Sequence, residues 1–129
     1  MPKNSKILIV DDEPIILEMY GIKFKQSNIT TFTASSAEDG WEIVKKEKPD
    51  LILLDIMMPK KDGFWLFKKL RAHKDKKIAN TAVIMLTNLD GPKSRAQCSQ
   101  LGCVYYLIKA HHTPTDLLKM AKEVLKFKK

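Results

Sequence analysis

Three aspartates, a threonine and a lysine stand directly after apolar runs in this chain, and these are the residues whose types could do chemistry. Asp11 and Asp12 follow Lys6–Val10, and Asp55 follows Leu51–Leu54. Thr87 follows Ala82–Leu86, and Lys109 follows Val104–Ile108. Clustered carboxylates without cysteine or paired histidine favour a hard, oxygen-loving cation, of which Mg²⁺ is the usual one. An aspartate can also act as a nucleophile that accepts a phosphoryl group. Such a transfer needs the moving oxygens neutralised and held in line. A cation on one side and Lys109 on the other would do that, with Thr87 donating a hydrogen bond. No P-loop or dinucleotide glycine pattern is present, so nucleotide binding is not expected. Glu13, just ahead of Pro14, reads only as a cap for the helix that follows.

These residues can converge only if the apolar runs lie side by side. Four of the runs are continuously apolar rather than alternating, which suits strands covered on both faces. The remaining one, Thr30–Ala34, carries Thr30, Thr31 and Thr33 and reads as an edge strand. Helical patterns fill the gaps. Ile15, Ile16, Met19 and Ile22 recur at three- and four-residue spacing after Pro14, and Ser36 can cap a helix bearing Ala37, Trp41 and Val44. Gly63 opens a segment with Phe67 and Leu70 on one side. Thr113, Pro114 and Asp116 make a helix start, followed by a stripe of Leu117, Ala121, Val124 and Leu125. The segment Gly91–Leu101 is the weakest helix, with only Ala96, Cys98 and Leu101 as its apolar face. Strand–helix alternation with right-handed crossovers predicts an α/β fold, a doubly wound five-stranded parallel sheet in one domain over residues 1–129. In such sheets function sits at the carboxyl ends of the strands, where strand order reverses.

Composition narrows the classes. Apolar residues make up 44% of the 129, enough for a real core and against disorder. No apolar run is long enough to cross a membrane, and Met1–Lys6 lacks a secretion-signal core, so a cytoplasmic protein is expected. The net charge is +8, with five lysines and one acid from Leu117 onward. Without a reading motif, no direct nucleic-acid binding is expected. Cys98 and Cys103 lack metal-ligand spacing and read as two reduced, partly buried thiols, with a regulatory disulfide as the alternative.

From about Lys6 to Lys126 the chain resembles the receiver domain of response regulators, the CheY-like modules of two-component signalling. The acidic pair Asp11–Asp12, the loop Asp55-Ile-Met-Met58-Pro59-Lys-Lys-Asp62-Gly63, then Thr87, Tyr106 and Lys109 fall in the family's order. The resemblance implies strand order 2-1-3-4-5 and a core of about residues 6–126. It implies Asp55 as phosphoacceptor, Mg²⁺ held by Asp11, Asp12, Asp55 and the Met57 backbone carbonyl, and the phosphoryl group bound by Thr87 and Lys109. Thr87 and Tyr106 would switch a protein-interaction surface. The donor would be a sensor histidine kinase or phosphotransfer protein, and the recipient a downstream output protein or domain. A phosphorylation-dependent dimer is a further implied state. The chain would not be an enzyme beyond Mg²⁺-dependent self-phosphorylation and autodephosphorylation, the latter past Met57 and Leu89.

Three departures from the family pattern stand out. Ala110 follows Lys109 where a cis-proline is usual. A cis bond there costs about 3 kcal/mol more than a trans one, so a trans bond and a re-routed loop are expected, with His111 and His112 solvated. The last strand opens with Gly102-Cys-Val-Tyr105-Tyr106 rather than acids, and no output domain follows, leaving open a stand-alone receiver or a piece of a longer protein. Two alternatives share the chemistry or the fold. A haloacid-dehalogenase-type hydrolase would need a DxD pattern, which Asp11-Asp12-Glu13 lacks, and a degenerate receiver would lack the acids, threonine and lysine found here.

Overall fold

The computed structural model describes residues 5–126. Five strands, β1 (Lys6–Val10), β2 (Thr30–Ala34), β3 (Leu51–Leu54), β4 (Ala82–Thr87) and β5 (Tyr105–Ile108), form one sheet. Its order is β2-β1-β3-β4-β5, with every pairing parallel. The helices are α1 (Pro14–Lys25), α2 (Ala37–Glu47), α3 (Gly63–Arg71), α4 (Lys76–Ala79), α5 (Pro92–Gln100) and α6 (Pro114–Lys126). The short α4 was not anticipated. Asp75 caps it, and it buries Ile78.

Alternation along each strand explains why the runs are apolar throughout. Leu8, Val10, Ile52, Leu54, Val83 and Met85 meet Val44, Leu66, Phe67 and Leu70 on one face of the sheet. Ile7, Ile9, Leu51, Leu53, Ile84 and Leu86 meet Tyr20, Phe24, Leu117 and Leu125 on the other. Full burial of each such side chain stabilises by about 1.5–3 kcal/mol. β2 lies at the edge and is the most exposed strand, as its threonines predict.

Two readings need correction. Of the α1 stripe, Ile16 packs against the core while Ile15, Met19 and Ile22 face outward, at 75%, 43% and 52% exposure. The helix is apolar on two sides, and the larger rings of Tyr20 and Phe24 take the core. Cys98 and Cys103 are not free thiols but a disulfide. The cause is local. α5 ends in a left-handed glycine, Gly102 at φ 78°, with Cys103 N–H donating to the Cys98 carbonyl at 3.0 Å and Gly102 N–H to that of Ser99 at 3.0 Å. This C-terminal motif brings the residue just past the glycine against the last turn, where an apolar contact usually forms. Cysteines occupy both positions here, with Cα atoms 5.5 Å apart.

Candidate functional site

The strand order reverses between β1 and β3, and the two buried acids follow those strands. Asp55 N–H donates to the Val10 carbonyl at 3.0 Å, extending the ladder one step and setting Asp55 beside Asp11. The chain then turns through Ile56–Asp62 into α3, where Asp62 caps the helix by accepting from Trp65 N–H at 3.0 Å. Gly63 makes this turn possible. Its N–H donates to the Ile56 carbonyl at 2.8 Å. A Cβ at Gly63 would lie 2.1 Å from the Asp55 carbonyl oxygen, so only glycine fits.

Asp11, Asp12 and Asp55 each offer an oxygen within 4.8 Å of the others. Asp11 and Asp55 are buried, and Asp12 is more exposed. Lys109 reaches in from the end of β5, its side chain 7% exposed. Its Nζ lies 2.6 Å from Asp11 Oδ2 and 3.2 Å from Asp55 Oδ2. Burial, and then the negative charge of Asp11, push the Asp55 carboxyl up to about 6 despite Lys109. Burial likewise raises Asp11, with Lys109 working against it. Burial opposes the charge on Lys109, but its contacts with Asp11 and Asp55 prevail and raise its pKa. The ammonium partly neutralises an acidic cluster whose elevated carboxyls leave room for a further cation. Oxygen-only donors at this spacing fit Mg²⁺.

The sequence reading missed Glu13. Its side chain caps nothing. It turns instead to Lys109 Nζ at 3.2 Å, so it belongs to the rim of the site. Its place two residues past Asp11 was the available signal. The bond into Ala110 is trans, and the chain leaves Lys109 through a single 3-10 turn, Lys109–His111. Lys109 therefore reaches the acids without the usual proline.

Thr87 is buried at the end of β4, but its hydroxyl accepts from Leu89 N–H at 3.1 Å rather than meeting Asp55 or Lys109. Tyr106 donates its hydroxyl to the Leu89 carbonyl, and the Arg95 guanidinium stacks over its ring at 4.6 Å. Arg95 also pairs with Asp90 at 2.7 Å. The two expected switch residues thus meet on Leu89. Met57 lies two residues past Asp55 and is 63% exposed.

Residues 7–122 match the response regulator receiver domain family, and the chain belongs to it. Among curated relatives it is 34% identical over 123 residues to the alkaline phosphatase synthesis transcriptional regulatory protein PhoP of Bacillus subtilis, covering 95% of this chain and 49% of that protein. It is 34% identical over 119 residues to the DNA-binding dual master transcriptional regulator RpaA of Synechocystis, covering 92% and 47%. The chain thus spans about half the length of these relatives. Among solved structures, a CheY-like receiver domain protein of Methanospirillum hungatei aligns with a TM-score of 0.87 at 28% identity, over 95% of this chain and 94% of that one. Chemotaxis protein CheY4 of Vibrio cholerae aligns at 0.84 and 26%, over 94% and 98%. The five-stranded parallel fold and the two-component phosphoacceptor class read from the sequence both stand.

Proposed function

We propose that this chain is one receiver domain, with a core of residues 6–126, that accepts a phosphoryl group on Asp55. The observation that carries the assignment is the Lys109 ammonium spanning Asp11 at 2.6 Å and Asp55 at 3.2 Å, with Asp12 beside them. Asp55 is the buried carboxylate at the end of a central strand, on the rim where strand order reverses. An Asp55 oxygen attacks phosphorus, the P–N bond of a phosphohistidine breaks, and the imidazole leaves. Lys109 then moves from the carboxylate pair toward the transferred oxygens, and the Thr87 hydroxyl exchanges the Leu89 amide for one of them. Asp11, Asp12, Asp55 and the Met57 carbonyl would hold Mg²⁺. When bound, that ion neutralises charge building on the phosphoryl oxygens.

The donor is a sensor histidine kinase or phosphotransfer protein. The outward stripe of Ile15, Met19 and Ile22 on α1, which starts close to Asp11, suits its docking. The output is a downstream protein or domain met through α5, β5 and α6, where a phosphorylation-dependent dimer could also form. We place the domain in the cytoplasm, without direct nucleic-acid contact of its own. No described helix is long and apolar enough to cross a membrane.

Incubation with a small acyl phosphate tests the site. Wild type should gain a base-labile phosphate only with Mg²⁺, and Asp55→Asn should gain none. Equal labelling of the variant would reassign the acceptor, and labelling that survives chelation would remove the metal from the scheme.

A further inference from the structure

We propose that Cys98 and Cys103 form a reversible thiol–disulfide site whose state sets how freely α5 moves over the core. The effect on signalling rests on the phosphoacceptor reading above; the redox chemistry does not. α5 has the sequence PKSRAQCSQ, and Cys98 is its one buried residue. Only this side chain of the helix sits fully in the core, and it is covalently tied to the entrance of β5.

Two features make the bond reversible without unfolding. The helix-ending motif depends on backbone hydrogen bonds and on the left-handed Gly102, so the two sulfurs meet whether bonded or not. The intervening turn is also gripped from outside. Arg71 donates to the carbonyls of Leu101 at 2.7 Å and Gly102 at 3.3 Å, and to those of Ala79 at 2.9 Å and Thr81 at 2.8 Å. Opening the bond leaves this latch in place.

The chemistry balances with a dithiol reductant, either a small molecule or a protein. Its thiolate attacks Cys103 Sγ, because Cys103 is half-buried whereas Cys98 is fully buried. Cys98 leaves as a thiolate and takes a proton. The reductant's second thiol then closes on the mixed disulfide, releasing Cys103 as a thiol and the reductant as its own disulfide. A disulfide oxidant runs the sequence backwards.

The consequence follows from what α5 touches. Arg95 of α5 stacks on Tyr106, and Tyr106 bonds to Leu89 on the loop leading from Thr87. In the oxidised protein Cys98 cannot slide relative to β5, so α5 and its Arg95 are held in register. In the reduced protein the Arg71 latch still holds the turn after α5, but Cys98 is the one side chain the helix itself buries, and the helix joins the low-stability end of the molecule.

The test uses the whole chain in oxidised and reduced buffer. Alkylation and intact mass should find both thiols blocked in the first state and free in the second, reversibly. Amide exchange in residues 93–101 should rise about fivefold or more on reduction, while β1 and β3 stay protected. Cys103→Ser, which leaves the buried Cys98 in place, should exchange like reduced wild type in either buffer. Free thiols after oxidation would overturn the proposal, as would equal α5 exchange in both states. Loss of protection across β1 and β3 on reduction would also overturn it, making the bond a structural staple. Acyl phosphate labelling in parallel separates the two readings. Redox-dependent α5 exchange in a chain that takes no phosphate supports this site and refutes the phosphoacceptor.

Discussion

Replacing Asp55 by asparagine should stabilise the metal-free protein at neutral pH, although it removes the proposed acceptor. Burial and the neighbouring Asp11 raise the Asp55 carboxyl from 3.8 to about 6. At about 1.4 kcal/mol per pKa unit, keeping this group ionised in the native state at pH 7 costs about 3 kcal/mol relative to the unfolded chain. The amide carries no charge to desolvate. It does weaken the 3.2 Å contact with Lys109, which keeps Asp11 and Glu13. A net gain of about 1–2 kcal/mol remains, or about 4–8 °C in Tm for a domain of this size. The sign follows from proton binding. Between about pH 4 and pH 6 the native carboxyl holds a proton that the unfolded one has released, so wild-type stability falls as pH rises through that window. The advantage of the variant should therefore be near zero below about pH 4, grow across the window and level off above about pH 7. Thermal and urea unfolding in chelator, at several pH values, measures it. A variant no more stable than wild type at neutral pH, or an advantage that persists in acid, would refute the electrostatic account of the site.

Met57→Asn combined with Leu89→Glu puts polar groups where apolar ones border the proposed acceptor. It should speed loss of phosphate by about tenfold, or about 1.4 kcal/mol of barrier, by orienting water. Phosphate release from isolated protein follows this, and an unchanged rate would mean these side chains do not set the lifetime. Hydrogen exchange with a phosphoryl mimic should change across Thr87–Tyr106, because Thr87 must surrender its 3.1 Å bond from the Leu89 amide to reach the ligand. Unchanged protection there would sink the switch. Gly63→Ala should destabilise by on the order of 3 kcal/mol in urea unfolding, since the new methyl would sit 2.1 Å from the Asp55 carbonyl oxygen. An alanine variant as stable as wild type would show that the turn can shift.

Strand positions and the acids behind them were legible because a two-sided parallel sheet leaves a plain mark, a continuous apolar run ended by polar residues. Four features were not. The orientation of α1 is a competition between two apolar sides, and spacing alone cannot weigh Ile15, Met19 and Ile22 against Tyr20 and Phe24. Glu13 reads as a helix cap until Lys109 is placed opposite it, a contact spanning 96 residues. The disulfide had a local signal, glycine immediately before the second cysteine at the end of a helix. It is recognised only by asking which residues a left-handed terminus brings together rather than by metal spacing. The hydroxyl of Thr87 was assigned to a ligand, whereas in the fold it accepts from the Leu89 amide two residues on, a local turn contact that strand-end position alone does not announce.

The long reach of Lys109 also bears on the order in which the molecule assembles. It meets Asp55 across 54 residues and Glu13 across 96. Such loops close late, since the entropy of joining distant segments must be overcome before their contacts reward it. A chain emerging from synthesis with β1 and β3 already paired would bring Asp11 and Asp55 together with no ammonium between them. Its two carboxyls would hold protons more tightly than in the finished molecule. Arrival of β5 then completes the edge of the sheet and delivers the missing charge in the same event. Competence for the proposed chemistry is in this sense a readout of finished folding, and a chain cut short before Lys109 would carry the proposed acceptor without its neighbouring ammonium.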